Sequence, residues 1–273
     1  MRRLIHALIV VVILGIVGGL VICAIPRIRD AAARAECQNN LKQIGMALQN
    51  YHDTYRTFPS AAIPNEDLPC DKRLSWLVGV MPFVEQNQII IDRKKGWQDE
   101  ENAIPKVRQV DSNFREIGPP KPLGELKIFR CPADPTVSPS GAASLTNYVG
   151  LAGVGADAAE RRLGYPGVGF FGCERKLKLE DIKDGTENTL AVMETNSNIG
   201  PWTAGGFPTV RPLNPAMIPY LGSGRPFGSG HRDCTQAVFA DGSVHRLTNS
   251  ISPEMLEALA TIAGGEKTEP LGD

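Results

Sequence analysis

Hydrophobic positions change character three times along this chain. From Ala7 to Ile25, nineteen consecutive residues are uncharged and predominantly apolar. At about 1.5 Å per residue, a helix of that length covers roughly the 30 Å hydrocarbon thickness of a bilayer. The run is apolar on every face rather than along one stripe, which predicts a membrane span and not a buried core helix. A cleaved secretory signal would have a shorter apolar region and small residues at a cleavage site, and Ile22-Cys23-Ala24-Ile25-Pro26 offers no clean one. Residues 1–26 therefore read as a short tail and a single transmembrane anchor, marked along its length by Ala7, Leu14, Leu20 and Ile25, and residues 27–273 as the attached domain.

Beyond Pro26, where a missing backbone N–H predicts a kink, the apolar positions contract to one stripe. Cys37, Leu41, Ile44, Leu48, Tyr51 and Tyr55 follow one another at steps of four and three, with Arg34, Glu36, Asn39, Lys42, Gln43 and Gln49 on the other face. That spacing predicts an amphipathic helix lying on a domain, ending near Phe58-Pro59 because the residue before proline leaves helical geometry.

After Pro59 the pattern becomes short apolar runs between Gly, Pro, Asn and Asp. Leu74 to Gln88 predicts a helix broken at Pro82, and the charged, proline-rich stretch from Ile91 to Glu125 a surface excursion. Leu126 to Arg130, Thr146 to Ala152, Gly167 to Gly172 and Thr189 to Glu194 predict strands. Gln236 to Leu247 predicts a hairpin around Asp241-Gly242, of the two-residue kind with positive φ at both central positions. Pro253 to Ile262 predicts a last helix, with Ser252 as its N-cap and Gly264-Gly265 beyond its end. A long helix followed by strands predicts an α+β domain.

Lys and Arg number 29 against 30 Asp and Glu, so no bulk electrostatic attraction favours a nucleic-acid partner. Arg2 and Arg3 on one side of the apolar run are balanced by Arg27, Arg29 and Arg34 on the other, so charge does not orient the anchor. The short N-terminal tail and the cysteine usage place the domain outside the cytoplasm.

Several ordered blocks resemble a known family. They are Glu36-Cys37-Gln38-Asn39-Asn40-Leu41-Lys42-Gln43-Ile44-Gly45, Tyr51-His52-Asp53-Thr54-Tyr55, Phe58-Pro59, Leu74-Ser75-Trp76, Pro82-Phe83-Val84-Glu85-Gln86, Phe129-Arg130-Cys131-Pro132-Ala133-Asp134-Pro135 and Thr146-Asn147-Tyr148-Val149-Gly150. Asp181 to Thr189, Gly228-Ser229-Gly230-His231 and Ala240-Asp241-Gly242-Ser243-Val244 follow. Together they resemble the bacterial pilin-like domain of unknown function 1559, which is similar to type IV pilins and type II secretion pseudopilins. The resemblance implies a pilin-like fold: a long N-terminal helix, half in the membrane and half packed on an antiparallel β-sheet, with a large loop-rich insertion. It implies a non-enzymatic envelope protein acting in assembly, secretion or surface interaction, with the lipid bilayer, other copies or other pilin-like subunits as partners. Pilin-like members carry a leader glycine followed by Phe-Thr-Leu-Ile-Glu, whereas this chain has Arg3-Leu4-Ile5-His6-Ala7-Leu8-Ile9. Peptidase processing and filament assembly are therefore not carried over.

Cys23 falls in the apolar run, leaving five domain cysteines, an odd number. Cys37 and Cys131 fall in two of the family-like blocks, which ranks a bridge between them first, and Cys173 with Cys234 second. No Cys-x-x-Cys or His-rich spacing marks a zinc site. Asp181, Asp184 and Asn188, with Thr186 and Glu194, supply hard oxygens of the kind calcium requires; pseudopilins bind calcium in a loop, so the resemblance makes these a candidate set. The same residues read more simply as a turn whose side chains bind local amides. No other cofactor is expected. His231 near Asp241, with Ser229 or Ser243, is the best catalytic constellation, but no Gly-x-Ser-x-Gly elbow accompanies it, and the expectation is no enzyme. A pocket for a small solute or glycan within Gly150 to Gly230 is the alternative function.

Overall fold

The computed structural model describes residues 2–84, 88–231 and 234–265, with the side chains of residues 2, 4, 5 and 7–24 outside the description. Helix α1 runs from Arg2 to Tyr55 and continues through Pro26. It ends three residues before the predicted stop because Arg56 takes a left-handed conformation, φ 60°, with its N–H donated to the His52 carbonyl at 2.7 Å. Ala7, Leu14 and Leu20 lie outside the described side chains, while Ile25 is 41% exposed. Among the described residues no helix is long and apolar enough to cross a membrane.

The remaining helices are short: α2 spans Trp76–Val80, α3 Glu100–Ala103 and α4 Pro253–Ala260. The predicted helix is interrupted at Pro82 as expected, α2 giving way to a 3-10 turn over Met81–Phe83, while residues 85–87 of the predicted helix lie outside the described residues. Ser252 caps α4 by accepting from Met255 N at 3.1 Å.

Strands β1 (Ile89–Ile90), β2 (Lys106–Val110) and β3 (Glu116–Pro122) make an antiparallel sheet with largely exposed side chains. The surface excursion is thus folded. β4 (Leu145–Thr146) pairs with β7 (Gly200–Pro201). The central sheet is built from β5 (Tyr148–Val154), β6 (Leu190–Glu194), β8 (Val210–Leu213), β9 (Cys234–Phe239) and β10 (Val244–Thr248), in the order β10-β9-β6-β5-β8. It is mixed, not purely antiparallel, because β8 runs parallel to β5.

Two predicted strands are corrected. Leu126 to Arg130 contains a 3-10 turn at Lys127–Phe129 that buries Phe129. Gly167 to Gly172 runs beside β5, bonding Gly169 N to Ala152 O and Phe171 N to Leu151 O, but forms only a single bridge, Gly153 with Val168. Positive φ at Gly153 and Gly167 interrupts a regular ladder there. The β9–β10 hairpin is present, but Asp241 does not have positive φ; Gly242 alone does, at 85°. A turn closed by Gly242 N to Phe239 O, followed by that left-handed glycine, makes the longer, bulged connection instead of the two-residue one.

Alternation along the strands gives the sheet two buried faces. Tyr148, Ala152, Val192 and Val238 pack with Leu41, Ile44 and Leu48 of α1 and with Trp76. Val149, Leu151, Met193 and Phe239 pack on the opposite side with Leu256 and Leu259 of α4. The fold is α+β, with α1 and α4 covering opposite faces.

The seam between α1 and the hairpin is close. Gln49 Nε2 donates to Ala240 O at 2.6 Å, and a Cβ on Gly45 would lie 2.9 Å from Gly242 O and 3.1 Å from Val238 Cγ1. Gly45→Val is expected to lower stability by about 1–3 kcal/mol through overpacking, read as a shift in the urea midpoint followed by the fluorescence of buried Trp76 and Trp202.

Candidate functional site

Four buried donors from four separate segments converge where α1 meets the end of the sheet. Cys37 belongs to the inward stripe of α1, one turn before Leu41. Cys131 follows the 3-10 turn after residue 129, its N–H held by Asn147 Oδ1 at 3.0 Å, while Arg130 O accepts from Asn40 Nδ2 on α1 at 3.0 Å. Glu194 is the last residue of β6, with Oε2 accepting from Gln236 N at 2.9 Å. His231 lies in the loop before β9, where its N–H donates to Ser229 Oγ at 3.1 Å. Glycine at 230 lets this loop approach Cys131, since a Cβ there would lie 2.6 Å from Ala133 O.

His231 Nε2 lies 3.3 Å from Cys37 Sγ and 3.4 Å from Cys131 Sγ, and one donor atom from each of the four residues lies within 4.8 Å of all the others. On the other side of the ring, Nδ1 faces Asp30 Oδ1 at 3.7 Å. Glu194 Oε1 has no hydrogen-bond partner among the described residues.

Burial, reinforced by the Cys131 sulfur, raises Glu194 to about 8. Hydrogen bonding from Cys37, then from His231, outweighs burial and lowers Cys131 to about 5. Cys37 is pushed far up by its bond to Cys131 and by burial. Burial works to lower His231, but Cys131, Glu194 and Asp30 outweigh it and the ring is raised. Negative charge in the pocket is therefore favoured at Cys131 and disfavoured at Glu194 and Cys37. Cys131 also borders a surface groove of about 460 Å³ lined by Glu125, Lys127, Arg130 and Asp134.

The cysteine pairing differs from expectation. Cys37 and Cys131 come together, but as free buried thiols with the His231 ring against both sulfurs, and Cys234 is also free. The disulfide joins Cys70 to Cys173, with Cα atoms 5.9 Å apart, which removes the Cys173–Cys234 pairing. Neighbouring contacts bring these segments together: Arg73 pairs with Glu174, and Ala61 N bonds Gly172 O at 2.9 Å.

The calcium candidates follow the turn pattern. Asp181 Oδ2 accepts from Lys178 N at 2.9 Å, and Asn188 Nδ2 donates to Asp184 O at 3.0 Å. Asp184 accepts from Gly264 N, Gly265 N and Thr261 Oγ1, fastening the end of α4. Glu194 lies at the other end of β6, with the cysteines.

The catalytic constellation is not assembled. Asp241 accepts from Ser243 N in the hairpin turn, Ser229 Oγ donates to Cys234 O, and His231 faces sulfur. A concavity of about 800 Å³ is walled by Val154, Tyr165, Val168, Glu257 and Ile262, so α4 contributes as well as the predicted Gly150–Gly230 region.

Nothing in the spacing of residues 37, 131, 194 and 231 marks the four-residue cluster. Its one local signal is that Cys37, Cys131 and His231 each fall in a family-like block.

No curated protein and no solved structure matches the chain. Residues 26–254, more than four-fifths of it, match the family model described as "Protein of unknown function (DUF1559)", and the chain belongs to that family.

Proposed function

We propose that this is a non-enzymatic, single-pass membrane protein whose pilin-like domain faces the space outside the cytoplasm and acts in assembly, secretion or surface interaction. The observation that carries this reading is the two-part character of α1. From Cys37 to Leu48 its stripe is buried on the sheet, whereas every residue from Ile25 to Glu36 is exposed or half-exposed, including Ile28 at 65%. A helix that leaves its domain in this way, at the end of an apolar run long enough for a bilayer, is the geometry of a tethered domain. The Cys70–Cys173 disulfide supports export, because such bonds persist in oxidising compartments. The test is alkaline extraction of membranes from producing cells. The chain is expected to stay in the pellet, and the double variant Leu14→Arg, Gly18→Arg to be released, since each arginine at a span's centre costs about 2.5–3.5 kcal/mol on insertion scales. Release of the unmodified chain would refute the anchor.

The concavity beside α4 favours a second reading, an anchored module that binds a solute or glycan. Tyr165, 62% exposed, and Leu163 form part of its wall. A ligand bound only by the folded domain raises the melting temperature with its concentration, and no shift across a panel of sugars would count against this reading.

A further inference from the structure

We propose that Cys37, Cys131, Glu194 and His231 form a buried, four-coordinate site for one zinc-class divalent cation, which fastens α1 to the end of the sheet. This inference does not depend on the membrane reading.

The donor set comes first. Two sulfurs, an imidazole nitrogen and a carboxylate oxygen suit a borderline-soft cation, whereas calcium and magnesium take oxygen shells. Tetrahedral zinc, with bonds of about 2.0–2.3 Å, places its ligands roughly 3.3–3.8 Å apart. The two sulfur–nitrogen separations, 3.3 and 3.4 Å, fall at that spacing, and all four donors lie within 4.8 Å.

Glu194 supplies an independent argument. Its side chain is fully buried, and Oε1 is left without a donor among the described residues. A buried carboxyl oxygen is ordinarily hydrogen-bonded, to protein or to water, or placed against a cation. Here the neighbouring groups that could compensate it are the two sulfurs and the ring, which are themselves ligands.

The surroundings of His231 supply a third. Its Nε2 faces the sulfurs while Nδ1 faces Asp30, seven residues before Cys37 on α1. Asp30 thus stands on the side of the ring where an outer carboxylate orients a metal-ligating histidine, although at 3.7 Å it makes no hydrogen bond with Nδ1. Asp30 is itself held by an ion pair with Arg34. The surface groove is lined by one of the four donors, Cys131.

Binding replaces protons by metal bonds. The cation takes both cysteines as thiolates and Glu194 as carboxylate, any protons they carry leaving to solvent, and His231 coordinates as a neutral ring. With no open position in the shell, the site is structural: it links α1, the segment after residue 129, β6 and the loop before β9.

The test uses the full chain in detergent, reduced, stripped with a chelator and titrated with Co²⁺. The expected result is one cobalt per chain, with near-ultraviolet sulfur-to-cobalt charge transfer and the intense visible bands of tetrahedral cobalt, both abolished by Zn²⁺. Cys131→Ser lowers the sulfur signal to about half per bound cobalt, and the double variant Cys37→Ser, Cys131→Ser abolishes it. Glu194→Gln keeps it with affinity at least tenfold weaker, and Asp30→Asn weakens binding by about 10-fold or more, the range for an outer-sphere partner. Zn²⁺ also raises the melting temperature of the unmodified chain.

Absence of the sulfur–cobalt band from unmodified protein whose tryptophan fluorescence reports a folded domain overturns the proposal. So does recovery of a Cys37–Cys131 disulfide peptide from protein isolated under thiol-blocking conditions. Unchanged affinity in Glu194→Gln overturns the four-ligand site. The two decisive readouts use the unmodified chain, so a variant that fails to fold does not obscure the answer.

Discussion

Replacing Cys70 and Cys173 together by alanine is expected to lower the stability of the domain by about 4–5 kcal/mol, the chain-entropy value for a closed loop near one hundred residues. The bond spans 103 residues, so the unfolded chain gains a large amount of freedom when it is lost. It ties the segment before α2 to the segment after Phe171, and Trp76 of α2 packs on Phe171 with ring centres 4.7 Å apart. Urea unfolding of the oxidised protein against the double variant measures the change. A loss below about 1 kcal/mol would mean that the unfolded chain is already constrained there. Cys234→Ala, which removes a buried free thiol, should cost much less than loss of the bond.

The second large effect is expected in α1. Leu41 is completely buried, so Leu41→Ala should cost about 2–5 kcal/mol from lost burial and the cavity left behind. Leu41→Asp should cost more, because a carboxylate would be buried without a partner one turn from Cys37. In a domain whose whole stability is of the order of 5–15 kcal/mol, that change should leave α1 undocked and the sheet open to proteolysis. Met46, on the outward face and 49% exposed, is the control: Met46→Gln should fall within about 0.5 kcal/mol of the parent. Equal effects at the two positions would contradict the assignment of faces.

What could be read from the residues alone follows from how locally each feature is encoded. The stripe Cys37–Leu41–Ile44–Leu48 is a helical period, and all four side chains are buried. Ser252-Pro253 marks the start of α4 because the hydroxyl and the ring act within one turn. Pro82 breaks the preceding helix by the same local logic.

The failures lie where tertiary contacts decide. Leu126 to Arg130 is short enough to suit a strand or a turn, and burial of Phe129 against Trp202 coincides with the turn. At the β9–β10 connection Asp-Gly marked the place but not the turn type, since Asp241 stays at negative φ. Disulfide connectivity cannot be read from spacing, and Cys70 and Cys173 meet only after their segments have packed. The cysteine–histidine–glutamate cluster is the extreme case: α1, the segment after residue 129, β6 and a loop each contribute one side chain, so no short motif exists to find. Resemblance to the family located the blocks that carry Cys37, Cys131 and His231 but assigned them no shared chemistry.

The central claim is that an exported domain is held at a membrane by α1. Protease accessibility in producing cells tests it most directly, with the domain followed by an antibody and a cytoplasmic protein as the control for inner-membrane integrity. The account predicts that, once the outer envelope is permeabilised, protease digests the domain while the cytoplasmic control stays intact. Digestion of the domain only after the inner membrane is also breached, together with the control, would contradict it.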